Sequence, residues 1–445
     1  MAIFRRAHKK KRLFLLGIDG VPYEFANRQI EAGNWPHFER LLGDGRWGEM
    51  RSSIPDVSSV AWSTVVTGVN PGKHAIYGFQ DRKGHSYETF IPLADYRKAP
   101  ALWDLLGQAG KRSVVINVPL TFPVNEINGV MIGGFLTYDL SRGVHPRSLL
   151  SKLEEIGYQV DVDSHKAQTD KDGLLKDLYL TLEKRLETIL YLMQQENWDF
   201  FMAVIMGTDR INHFLFEEME TGHEVYAPAF VDYYRAVDEA IGRIADRLDL
   251  DDNTTFIVMS DHGFQALHQE IHLNHWLKRN GWLAYRADDP KKLEDLSPNT
   301  KAFSMTPGRI YFNIRGREPN GCVEPEDLPK LKEELSAALK EIELDGEPII
   351  EAVHDGSELY RGPYAGYGPD LVALPRPGYD LKEGIGKREF TYKGGRTGMH
   401  RHDGALLYIN EDRELRDDLW VADLTPTILE RLDLEVPSDL DGRGI

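Results

Sequence analysis

The sequence predicts an α/β protein with a largely parallel central sheet, helices on both faces and an inserted cap region. Three observations predict it. Short β-branched or apolar runs alternate with longer amphipathic segments along the chain. The runs read as strands buried on both faces, which a parallel sheet covered by helices requires. The 445 residues suit one large domain, 1–445, carrying an insertion.

In chain order, the first strand spans 12–18 and follows a basic cluster. Its apolar run ends at Asp19 after six residues. A signal-peptide core needs ~7–15 apolar residues and a small-residue cleavage site, so a buried strand is the better account. Helices are expected at 23–32, 36–42, 59–67 and 101–109. Strands at 112–118 and 129–134 follow. A long helix at 174–195 leads into a strand at 199–206, and a helix at 225–248 into a strand at 254–260. Strands at 370–375 and 405–410 continue the sheet, and helices at 328–339 and 424–432 complete the set. Residues 276–366 are rich in turn signals, including Gly-Arg-Glu-Pro-Asn-Gly at 316–321, and are expected to form the cap. No repeat or low-complexity tract interrupts the pattern.

Composition narrows the function. Acidic residues outnumber basic ones, 71 to 53, for a net charge of -18. That excludes a non-specific nucleic-acid binder, which needs a basic surface. It leaves room for an anionic small molecule, because bound cations reverse the field locally. The one cysteine, Cys322, cannot form an intrachain disulfide, and a cytoplasmic location is expected. No stretch approaches the ~20 apolar residues of a membrane span. The basic arm 5–12 reads as a solvated tail, with an anionic membrane surface as the alternative.

In open α/β sheets, ligands bind beyond the carboxyl ends of the strands. Asp19 stands there after the first strand, Asp209 and His213 after the strand ending near Met206, and Asp261 and His262 after the strand 254–260. His400 directly precedes the strand 405–410. Asp209 and His213 are four apart, so one helical turn puts both on one face. Carboxylate and imidazole together suit zinc or manganese. Any one of these residues alone would be read as a helix cap or a surface pair; six in this order are hard to explain by capping. Hydroxyls at Ser58 and Ser59 open the helix 59–67. A helix start suits a phosphate oxygen, and a cation would activate a serine as nucleophile. Plain N-capping is the rival account of both serines.

Several motifs join these residues: Gly-Ile-Asp-Gly at 17–20, Ala-Trp-Ser-Thr-Val-Val-Thr-Gly at 61–68, Asn-Pro-Gly-Lys-His at 70–74, Ser-Asp-His-Gly-Phe at 260–264 and Gly-Met-His at 398–400. The ordered set resembles the alkaline phosphatase superfamily and, within it, the type I phosphodiesterase/nucleotide pyrophosphatase branch. The resemblance implies an alkaline-phosphatase-like fold and hydrolysis of a small-molecule phosphate ester with two divalent metals, usually zinc. It implies a covalent phosphoserine on Ser58, ten positions before Gly68, with Ser59 as runner-up. It assigns one metal to Asp209, His213 and His400, and the other to Asp19, Asp261, His262 and the Ser58 oxygen. Branch members carry a phosphate-contacting asparagine three positions after the nucleophile, and here that position is Ala61. The phosphate must find another donor, with Ser59, Asn117 and Lys73 as candidates. Asn117 before Val118-Pro119 equally suits a turn, and Lys73 a helix end. A phosphomonoesterase or phosphomutase of the superfamily, and a non-catalytic binder of phosphorylated ligands, are the alternatives.

Overall fold

Eight strands form the central sheet, in the order Arg46–Met50, Ala405–Ile409, Thr254–Met259, Arg12–Ile18, Phe200–Ile205, Ser113–Ile116, Gly129–Ile132 and Val144–His145. The computed structural model describes residues 10–251 and 253–445, so Arg5 to Lys9 of the basic arm lie outside it. The five middle strands, from Thr254–Met259 to Gly129–Ile132, run parallel. The flanking strands are antiparallel to their neighbours.

Side chains alternate across the first strand. Leu13 and Leu15 pack against helices Ser58–Thr67, Leu102–Gln108 and Leu424–Arg431. Phe14, Leu16 and Ile18 pack against Phe25, Phe38 and the helices Lys171–Gln195, Gly207–Glu220 and Tyr226–Ala245. Helices thus cover both faces, as a parallel sheet requires, since its strands have no solvated side. No helix among the described residues is long and apolar enough to cross a membrane.

A smaller antiparallel sheet joins Ala302–Met305, Arg309–Phe312, Leu371–Pro375 and Ile350–Asp355 over its own apolar cluster. Here one expectation fails. The strand expected at 370–375 belongs to this sheet, not the central one. Its run, Leu-Val-Ala-Leu-Pro, is apolar because it is buried, and burial does not reveal which sheet receives it. The strand expected at 405–410 does join the central sheet, but antiparallel. Two elements carry no clear sequence signal. Helix Gly207–Glu220 starts directly off a strand with no side-chain cap. Strand Gly263–His272 pairs with Gly378–Lys382, Thr391–Tyr392 and Gly398–Arg401, forming a separate four-stranded sheet that carries His400.

Candidate active site

Three neighbouring strands end together. Ile18 lies opposite Ile205, and Gly17 opposite Met259. The residues that follow, Asp19, Gly207-Thr208-Asp209 and Ser260-Asp261-His262, therefore emerge side by side. Gly20 turns the chain after Asp19 at φ +66, and a side chain there would press on His262 and Phe264 at 3.1 Å. Thr208 Oγ1 donates to the Asp19 carbonyl at 2.7 Å, locking the new helix to the first strand. Asp209 and His213 project from one face of that helix. His400 arrives on Gly398–Arg401, opposite Phe264 of the neighbouring strand.

All six acidic and imidazole side chains are buried and converge. His400 Nε2 lies 3.1 Å from both Asp209 Oδ1 and His213 Nε2. His213 Nε2 is 3.4 Å from Asp209 Oδ1. Ligands on a tetrahedral cation at ~2.0–2.1 Å are separated by about 3.3–3.4 Å, so this trio has the spacing of one divalent ion. A second group adjoins it, in which Asp19, Asp209 and His262 offer ligand atoms within 4.8 Å of one another. His262 Nε2 is 3.6 Å from Asp19 Oδ1 and 3.4 Å from Asp261 Oδ2. Those two oxygens are buried without a hydrogen-bond partner. Carboxylate oxygens left so are costly to bury, and a cation between them removes the cost. The donor set therefore fits divalent metal. Asp209 borders both groups, although the sequence motif assigns it to one.

Surrounding groups orient these ligands. His213 Nδ1–H donates to the Gly398 carbonyl and His262 Nδ1–H to the Gly263 carbonyl, each at 3.0 Å. Both Nε2 lone pairs are thereby turned inward. Trp62 Nε1–H donates to Asp19 Oδ2 at 2.7 Å. Arg210 donates to Asp209 Oδ2 at 3.1 Å and is itself gripped by Asp161. Nothing in the sequence marks Arg210 or Asp161. Trp62 was discoverable, because it stands one helical turn after Ser58 and so shares its face.

Electrostatics point the same way. Burial, followed by the Asp261 and Asp209 carboxylates, pushes Asp19 well above the usual range. Burial pushes Asp261 up to about 7. It also raises Asp209, but His213, His400 and Arg210 outweigh it and hold that carboxyl well below the usual range. Burial holds the three imidazoles low, hence neutral and ready to ligate.

Ser58 is the first residue of its helix, and the cap position is Val57, which makes no side-chain bond. The Ser58 hydroxyl is thus not spent on capping. Its Oγ lies 3.3 Å from His262 Nε2. The first helical amides with backbone acceptors are those of Val60 and Ala61, so the Ser58 and Ser59 N–H groups have none among the described residues. Ser58 lines a pocket of about 360 Å³ with Asp209, His213 and His400. Ser59, Asn117 and Lys73 are not among the residues lining it. The Ser59 hydroxyl is buried without a partner. Asn117 donates to the Val204 carbonyl at 3.3 Å at positive φ. Lys73 pairs with Asp441 at 2.5 Å and donates to the Asp439 carbonyl at 2.6 Å.

The family model described as type I phosphodiesterase/nucleotide pyrophosphatase matches residues 13–403. The chain belongs to that family. It is accordingly a phosphoric ester hydrolase. Among solved structures, phosphonoacetate hydrolase from Sinorhizobium meliloti 1021, in complex with phosphonoacetate, is similar at a TM-score of 0.64 and 15% identity, over 95% of each chain. Murine ectonucleotide pyrophosphatase/phosphodiesterase 5, in complex with AMP, is similar at 0.58 and 14% identity, over 98% of each. The alkaline phosphatase PafA is similar at 0.60 and 14% identity, over 99% of each. At such identities the likeness is one of fold. No curated protein matches the chain.

Proposed function

We propose that this family member is a two-metal phosphodiesterase that works through a phosphoserine on Ser58. The observation that carries the proposal is the Ser58 oxygen, 3.3 Å from His262 Nε2 at a helix start, beside two adjoining Asp/His groups. Asp209, His213 and His400 would hold one cation, and Asp19, Asp261, His262 and Ser58 the other. Two such cations supply Lewis-acid stabilisation of attacking and leaving oxygens; zinc suits these donors best, and manganese is the alternative.

The chain's own residues do the rest. Ser58 Oγ gives up its proton to solvent and forms a bond to phosphorus as the bond to the leaving oxygen breaks, that oxygen departing with the electron pair. Water then hydrolyses the phosphoserine, freeing Ser58 and the phosphate product. The free Ser58 amide donates to a non-bridging oxygen, replacing the donor that Ala61 lacks. Phe79, Phe135, Leu136 and Phe214 give the pocket an apolar wall. Carboxylates at Asp19, Asp209 and Asp261 together with a Ser58 alkoxide would offset the charge of two divalent cations, so a monoanionic diester would meet no severe repulsion. The proposal is tested by hydrolysis of methyl 4-nitrophenyl phosphate against 4-nitrophenyl phosphate, with zinc or manganese added. Faster diester cleavage supports it, faster monoester cleavage makes the enzyme a phosphomonoesterase, and silence in both removes it.

Two further outcomes are expected. Trp62→Phe removes the donor to Asp19 while keeping an aromatic ring. Metal titration should show the second cation bound about 10- to 100-fold more weakly, with the fold intact by circular dichroism. Chelation should inactivate the enzyme without unfolding it, because the two main apolar clusters are built from the sheet and its helices. The chelated protein should also become pH-sensitive. Asp19 and Asp261 are raised above their unfolded values, so their contribution to stability is present at low pH and lost as pH rises, for Asp261 through about 7. Its melting midpoint should be lower at pH 8 than at pH 6, and added cation should close the gap.

A further inference from the structure

Three cations line the Ser58 pocket: Arg210, Lys382 and Arg396. Two are already neutralised. Arg210 is held by Asp161 and Asp209, and Lys382 by Asp380 at 2.5 Å. Arg396 is half-buried and has no hydrogen-bond or ion-pair partner among the described residues. A guanidinium readily makes charge-assisted, bidentate bonds to carboxylate or phosphate, and one that lines a pocket unpaired is free to make them to a ligand.

Its place in the site says which part of the ligand it meets. Ser58 Oγ touches His262, and the His262 ring stacks on His400 at 3.9 Å. His400 in turn meets His213 at 3.1 Å. The Thr397 N–H donates to the His213 carbonyl at 2.7 Å, which anchors Arg396 next to that histidine. Arg396 therefore lines the pocket from the segment anchored at His213, whereas Ser58 lines it beside His262. In-line displacement expels the leaving oxygen opposite the attacking one. We propose that Arg396 determines specificity by binding a negative charge on the leaving group. Preferred substrates are then phosphate esters whose departing half is itself anionic, through a carboxylate or a further phosphate. The apolar wall of Phe79, Phe135, Leu136 and Met399 takes the carbon skeleton. This inference rests on the hydrolase reading above.

A matched pair of substrates tests it: methyl 4-nitrophenyl phosphate and the same diester with a 3-carboxylate on the departing ring. Two readouts are taken on the metal-loaded full chain. One is the ratio of kcat/KM for the pair. The other is the calorimetric affinity of both esters for Ser58→Ala, which binds without turnover. The carboxylated ester should be favoured about 10- to 100-fold in both, the worth of one charge-assisted hydrogen bond. Arg396→Ala should abolish the ratio and Arg396→Lys should keep part of it, with metal content and circular dichroism unchanged. An unchanged ratio in Arg396→Ala, or no preference in the unmodified enzyme, overturns the role of Arg396 while cleavage of the plain diester leaves the hydrolase reading standing. If neither ester is cleaved or bound, both proposals fall.

Discussion

Replacing Ser58 with alanine is expected to reduce phosphodiester turnover by about a thousandfold or more while leaving the metal content unchanged. The hydroxyl lines the pocket and lies 3.3 Å from His262 Nε2, where it can form a covalent phosphoester. The other ligands meet without it: the Asp209–His213–His400 contacts and the His262–Asp19 approach are made without Ser58. The small, buried side chain leaves little to repack, so stability should change little. Ser58→Thr keeps the oxygen and adds a methyl group near Val57 and His262, so it should retain measurable activity. Steady-state kinetics, metal analysis and mass spectrometry of a trapped phosphoenzyme check all three statements. An alanine variant with full activity would remove Ser58 from the mechanism.

The second large effect is expected at His400. Its Nε2 is the shared neighbour of Asp209 and His213, and its ring stacks on His262. Deleting it takes one ligand from the first metal group and a supporting ring from the second. His400→Ala should therefore bind about one cation per chain instead of about two, and lose activity by a factor on the order of a thousand or more. Its strand is held by backbone pairing to Gly263–His272, so the fold should survive. His400→Gln, which fills the space and offers an amide oxygen, should bind the first cation more weakly than the parent but better than alanine does. Metal analysis giving an unchanged stoichiometry in the alanine variant would refute the ligand assignment.

Much of this was legible in the chain, for identifiable reasons. The strands feeding the site are short and mostly apolar, so burial marks them. Asp19 and Asp261 stand where those apolar runs end, so strand-end placement could be read directly. The helical spacing of Asp209 and His213 was readable even though the helix Gly207–Glu220 has no capping signal. The expected central strand at 370–375 went astray because an apolar run of five residues carries no information about its partner. Lys73 suits a phosphate by charge, yet it is paired with Asp441, 368 residues away. Nothing local to Lys73 announces that partner.

By itself, the sequence determined the residue types that can hold cations, the strand ends that carry most of them, the fold class and the serine beside them. These depend on apolar periodicity and on short-range spacing, which are properties of neighbouring residues. Only the tertiary structure decided that Asp209 borders both ligand groups, that Trp62 steadies Asp19, and that, of the pocket's Arg210, Lys382 and Arg396, only Arg396 is unpaired among the described residues. Those facts depend on strand register and on contacts between distant segments. A buried charge is stabilised or left free by whatever the fold brings within hydrogen-bond reach, and that is set by packing rather than by position along the chain.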